Sequence, residues 1–115
     1  MLVAAAVLMV AIGLVHSVLG ERYILTRLFR RDLPKILGSD RFTKKTLRFA
    51  WHITTVAWCG FAAVLLVGLG SERATLRVIS LTFLATGVIT LVAGRGRHLA
   101  WVVFLAIAGL TWWAP

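Results

Sequence analysis

Four apolar stretches, Leu2 to Leu19, Phe49 to Leu69, Ala74 to Ala93 and Leu99 to about Trp113, take up most of a 115-residue chain. A helix rises about 1.5 Å per residue, so runs of this length match a bilayer hydrocarbon core of roughly 30 Å. The runs are continuous rather than alternating, which favours helices over a barrel, because backbone groups in lipid must be bonded within the segment or in a closed sheet. Only the third run carries a charge, Arg77, one turn from its start, where a long side chain reaches the headgroups. With 60% of its residues hydrophobic, a water-soluble domain this small could not hide its apolar surface. The expected fold is therefore all-α. It is a polytopic membrane protein of one domain, residues 1–115, with four transmembrane helices in an antiparallel bundle.

The charges set its orientation. Lys and Arg number 13 against 4 Asp and Glu, and nine of the basic residues fall between Glu21 and Arg48. By the positive-inside rule that connection is cytoplasmic, which puts Arg95 and Arg97 inside and Arg73 and Arg77 outside. Both termini are then extracytoplasmic, and the expected location is an inner, plasma membrane. The first run has no positive residue before its apolar core and no small-x-small pattern near Val18 to Gly20, so it reads as a retained helix rather than a secretory signal. Trp51 and Trp101 near the inner surface, and Trp112 and Trp113 at the outer one, suit the preference of indoles for the headgroup level.

The basic connection has internal order. Ile24, Leu25, Leu28 and Phe29 recur at helical spacing among Arg22, Arg27, Arg30 and Arg31, so the first helix should continue as an amphipathic stretch lying at the interface. Pro34 and Gly38 interrupt it, and Ser39 or Asp40 can cap a second helix that carries Lys44, Lys45 and Arg48 toward the bilayer. Anionic lipid headgroups are the expected partners of Arg22, Arg27, Arg30, Arg31, Lys44, Lys45 and Arg48, at about 1 kcal/mol per basic residue near the surface. No nucleic-acid partner is expected.

The derived topology places all three histidines, His16, His52 and His98, toward the cytoplasmic side, on three different helices. Helical wheels put Gly13, His16, Ser17 and Gly20 on one face of the first helix, with Glu21 slightly further round. Arg48, His52, Thr55 and Cys59 form a polar stripe on the second, and Thr75, Thr82, Thr86 and Thr90 another on the third. Imidazoles and a carboxylate are competent ligands for zinc, iron or copper, and two facing histidines can bind a haem iron. His16, His52, His98 and Glu21 are thus the candidate metal or cofactor ligands. No H-x-x-E-H, E-x-x-H or C-x-x-C spacing accompanies them. The plainer account is that the histidines bond carbonyls, Ser17 or one another at the headgroup boundary, that Glu21 is a charge partner, and that the threonines bond their own preceding turns.

The single cysteine, Cys59, forms no intrachain disulfide and reads as an apolar filler. No G-x-S-x-G, P-loop or G-x-G-x-x-G is present, and four acids at helix ends or loops offer no paired carboxylates, so no catalysis is expected. The sequence favours a structural or binding module with a histidine-bearing interior at its cytoplasmic side. The alternatives are a metal- or haem-binding subunit, and a small transporter or channel. A homo-oligomer or a larger membrane complex is the expected assembly.

Overall fold

The computed structural model describes residues 2–67 and 70–115, all helices and connections with no strand among them. Helix α1 runs Leu2–Leu28, α2 Arg41–Val67, α3 Glu72–Gly94 and α4 Ala100–Trp112. The first three are long and apolar enough to cross a membrane. Gly68 and Leu69, the end of the expected second run, lie outside the described residues.

Helix α1 changes pitch near its end, with a π-helical segment at Gly20–Leu25 before the final turn Thr26–Leu28. The Thr26 N–H reaches back five residues to the Glu21 carbonyl. Its hydroxyl donates to the Arg22 carbonyl at 2.8 Å, the acceptor that a five-residue step passes over. The connection then makes a tight turn in which Leu37 and Gly38 both take positive φ, 58° and 87°, and the Ile36 N–H donates to the Ser39 carbonyl. Ser39 and Asp40 divide the expected capping role. Ser39 Oγ accepts from the Arg41 N–H at 3.4 Å, whereas Asp40 accepts from the Leu33 N–H and pairs with Lys44 at 2.6 Å. That hydrogen bond from Lys44 holds the Asp40 carboxyl below the usual carboxylate range. At the opposite end of the fold, Ser71 caps α3 by accepting from the Ala74 N–H.

Among the described residues, backbones of different helices approach closely only between sequential helices, α1 with α2, α2 with α3 and α3 with α4. Matched positions run in opposite senses: Gly13 meets Thr55 while Glu21 meets Arg48, and Gly87 meets Leu105 while Gly94 meets His98. The molecule measures 49 × 31 × 15 Å, a row of antiparallel helices rather than four faces gathered round one interior. The physical reason is the placement of small and hydroxyl residues. Each interface has its own, and none faces a diagonal neighbour: Gly13, Ser17 and Gly20 serve α1 and α2, Gly60 and Thr82 serve α2 and α3, and Ser80, Gly87 and Gly94 serve α3 and its return. The described apolar side chains that are buried are Ala6, Leu25, Phe49, Ala62 and Ala108 alone, while Leu8, Leu110 and Trp113 among many others are exposed. Such a surface belongs in lipid.

Helix α4 has 13 residues, about 20 Å, which is less than the hydrocarbon thickness. It nonetheless follows α3 closely. His98 packs on Gly94 at its start, Ser80 Oγ donates to the Ala108 carbonyl at 2.6 Å, and the Arg77 guanidinium lies 5.1 Å from the Trp112 ring.

Gly20 is where packing is tightest, since a Cβ there would overlap the Trp51 indole, whereas a Cβ at Gly109 meets open space. Gly20→Ala should destabilise the fold by about 1–3 kcal/mol through overpacking. Gly109→Ala should leave stability unchanged or raise it by up to about 1 kcal/mol, as alanine favours helix. Unfolding of both variants in detergent, followed by circular dichroism, checks the pair, and equal effects would refute the packing.

Candidate functional site

The polar centre lies where the last turns of α1 meet the first third of α2. His52 stands between two residues of α1 one turn apart: Nδ1 is 2.9 Å from Ser17 Oγ and Nε2 is 3.1 Å from Glu21 Oε2. Arg48, one turn before His52, takes both carboxylate oxygens of Glu21, with Nη2 to Oε1 at 2.9 Å and Nε to Oε2 at 3.3 Å. A two-pronged guanidinium fixes the orientation of a carboxylate as well as its charge. The same guanidinium lies 4.9 Å from the centre of the Phe29 ring.

Deeper in, the network becomes neutral. Ser17 Oγ and Thr55 Oγ1 are 2.7 Å apart, and Thr55 Oγ1 donates to the Gly13 carbonyl at 2.8 Å. Local spacing explains the alignment, because Ser17 with Glu21, and Arg48 with His52, are each separated by four residues and so share a helix face. Gly13 and Gly20 bracket Ser17, and their missing side chains let the two backbones come near enough for these short hydroxyls to bridge.

His16 uses different partners. Its ring stacks on Trp51 with centroids 4.5 Å apart and planes within 3°, and lies 5.2 Å from Trp58. The Trp51 Nε1–H donates to the His16 carbonyl at 3.0 Å, while His16 Nε2 is buried without a partner. His98 is elsewhere, held between Phe42 at 6.2 Å and Phe49 at 5.4 Å on the other side of α2, with Nδ1 also unpartnered. The structure thus brings Glu21 and His52 into direct contact, sets His16 beside them on an aromatic shelf, and keeps His98 apart.

These donors do not fit a metal or haem centre. No three His, Cys, Asp or Glu side chains are grouped among the described residues. Both ring nitrogens of His52 already face protein partners, and Glu21 is engaged by Arg48. What the arrangement does provide is a clamp, with one carboxylate shared by a guanidinium and an imidazole and continued by hydroxyls into the helix pair.

The basic residues expected at headgroups take several positions. Arg22 and Arg27 lie over the Tyr23 ring at 5.7 and 5.8 Å, Arg30 and Arg31 are exposed, and Lys44 pairs with Asp40. Lys45 faces the turn between α3 and α4, and Arg48 belongs to the clamp. On α3 the threonines behave as the plainer account expects: Thr82, Thr86 and Thr90 each donate to the carbonyl four residues earlier. Nothing in the residue pattern assigns Trp51 a role beyond the interface or marks the π-helical segment. The four-residue spacing of Ser17 and Glu21 was the signal available for the clamp.

His52→Ala removes the shared partner of Ser17 and Glu21 and should destabilise the fold by about 1–3 kcal/mol, the effect of stranding hydrogen-bonding groups. Thr54→Ala, which loses only a bond to its own helix turn, should change stability by less than about 0.5 kcal/mol. Denaturant titration in detergent separates the two, and matching midpoints would remove the clamp from the account. In comparisons with known proteins the chain matches no family model, no curated protein and no solved structure, so the reading of the site rests on its geometry.

Proposed function

We propose that the protein is a structural and binding module of the inner membrane, without catalytic activity, that works as a homo-oligomer or as a subunit of a larger membrane complex. Four crossings carry it, with the basic connection in the cytoplasm and both termini outside. The observation that supports this reading best is where the polar network stops. From Glu21 it passes through His52, Ser17 and Thr55 to the Gly13 carbonyl, a group with no proton to hand on. Beyond that level the groove between α1 and α2 is lined by Val3, Ala6, Val10, Ala62 and Leu66 with Cys59, and offers no polar path to the far side. A network that ends inside the helix pair ties the helices together. A transport route through one copy would need polar groups over the whole depth.

The fourth crossing rests on register. Between Gly94, which touches His98, and Arg77, which lies over Trp112, α3 climbs 17 residues, or about 26 Å, while the return from His98 to Trp112 climbs 14, or about 21 Å. The Arg77 stem brings its charge to the surface from below, so a short α4 reaches the same boundary. A row exposing apolar side chains on both broad faces supports lateral assembly with another membrane chain or a second copy.

Reporter fusions test the topology. One inserted after Lys35 should report cytoplasm, and one at the C-terminus the opposite side. A cytoplasmic C-terminus would make α4 a helix that turns back within the membrane and would overturn the four-crossing reading. For the functional part, detergent-purified protein should migrate above its monomer mass or with a partner and show no proton or cation flux in liposomes. Flux abolished by His52→Ala would replace the module with a transporter.

A further inference from the structure

A second cluster of charge lies where the first turns of α2 meet the turn between α3 and α4. Arg41, Lys45, Arg95 and Arg97 line a cavity of about 80 Å³ together with Phe42, Thr46 and Gly94. Two of the cations come from the first turns of α2 and two from the turn between α3 and α4, so the site exists only because the chain folds back on itself. None of the four is in an ion pair. All four acids of the chain are among the described residues; Glu21 is taken by Arg48 and His52, and Asp40 by Lys44, while Asp32 and Glu72 make no salt bridge. Thr46 also lines the cavity, and its hydroxyl oxygen is buried without a hydrogen-bond partner.

The backbone holds this crowding in place. Arg95 takes the left-handed conformation, φ 49° and ψ 40°, which ordinarily falls to glycine, although a glycine stands next to it at Gly96. Like charges repel, and an unpaired hydroxyl in a buried position is unfavourable. A chain that concentrates three guanidinium groups, an ammonium and a free hydroxyl donor on one small cavity has the donor set of an oxyanion receptor. Guanidinium forks match the edges of a tetrahedral oxyanion, the lysine adds a point charge, and the hydroxyl can fill a remaining lone pair.

We propose that this cavity binds a phosphate group, and that Arg41, Lys45, Arg95 and Arg97 with Thr46 are its ligands. Phosphate can reach it as the headgroup of an anionic phospholipid or as the free ion. The site is at the membrane face where the headgroups lie, and Phe42 gives one wall an apolar surface. It differs from the diffuse attraction of a basic surface in having a fixed geometry and a specific dependence on a neutral hydroxyl. It does not depend on the clamp between α1 and α2.

The test uses the full chain in detergent and in nanodiscs. Inorganic phosphate is titrated by calorimetry in detergent, and nanodiscs of phosphatidylcholine with and without phosphatidic acid are compared by thermal midpoint. Wild type should bind at least one of the two probes. Arg95→Gln should weaken that binding about tenfold, and Thr46→Val, which keeps the shape and removes the donor, should weaken it measurably. Lys35→Gln, an equal loss of charge on the connection between α1 and α2 and outside the cavity, should leave it within twofold. Without phosphate, Arg95→Gln should raise the thermal midpoint, because it relieves repulsion, and that readout holds even where binding is too weak to follow. Response to phosphatidic acid alone assigns the lipid as the source, and response to inorganic phosphate assigns the free ion. No binding of either probe, or equal weakening by Lys35→Gln and Arg95→Gln, would overturn the proposal.

Discussion

Helices dissolved in hydrocarbon gain little by burying apolar side chains against each other, because lipid tails are as apolar as leucine. What joins them must be close backbone approach, hydrogen bonds between helices, or ion pairs. Every interface of this protein is organised round that constraint. Gly13 and Gly20 let α1 lie near α2, Gly60 receives Thr82, Gly87 receives Leu105, and Ser80 reaches the Ala108 carbonyl. Each glycine faces the neighbour that its own connection supplies, and the outcome is a row one helix deep at each step.

The same constraint makes the two ends of the row unlike. Charge is affordable only where water or headgroups are near, so ion pairs and the cation cavity gather at the end carrying the basic connection. Interhelix bonds farther from that end involve neutral hydroxyls, Thr55 to the Gly13 carbonyl and Ser80 to the Ala108 carbonyl. The sequence places its residues by this gradient. Glu21, Arg48 and His52 are at the boundary, Ser17 and Thr55 come next, and the alanine and valine groove lies beyond.

Much of this was legible from residue spacing. The four apolar runs correspond to the four helices, and the small face of α1 and the polar stripe of α2 follow from 100° per residue and are the surfaces that meet. Glu21 and His52 lie on or beside those surfaces, and their direct contact is what the structure adds. Three features were not. The π-helical segment at Gly20–Leu25 leaves no compositional mark, although it begins at the glycine on which Trp51 packs. The row in place of a closed bundle depends on which small residues face one another across helices, and a wheel ranks faces without pairing them. The cation cavity combines Arg41 and Lys45 with Arg95 and Arg97, fifty or more residues away along the chain. Charge counting assigned these residues to one membrane side and could go no further.

Helix α2 is the element on which the others are positioned. Its faces carry Trp51, His52 and Thr55 toward α1, Gly60 toward α3, and Phe42 and Phe49 toward His98 at the entry to α4. Arg48 and Lys45, three residues apart on adjoining parts of one face, divide between the two clusters, Arg48 in the clamp and Lys45 at the cation cavity. A rotation of α2 about its axis would therefore disturb both clusters at once: turning His52 toward Ser17 and Glu21 also sets how Lys45 meets Arg95 and Arg97. The two polar clusters thus draw on one helix, although no side chain is shared between them.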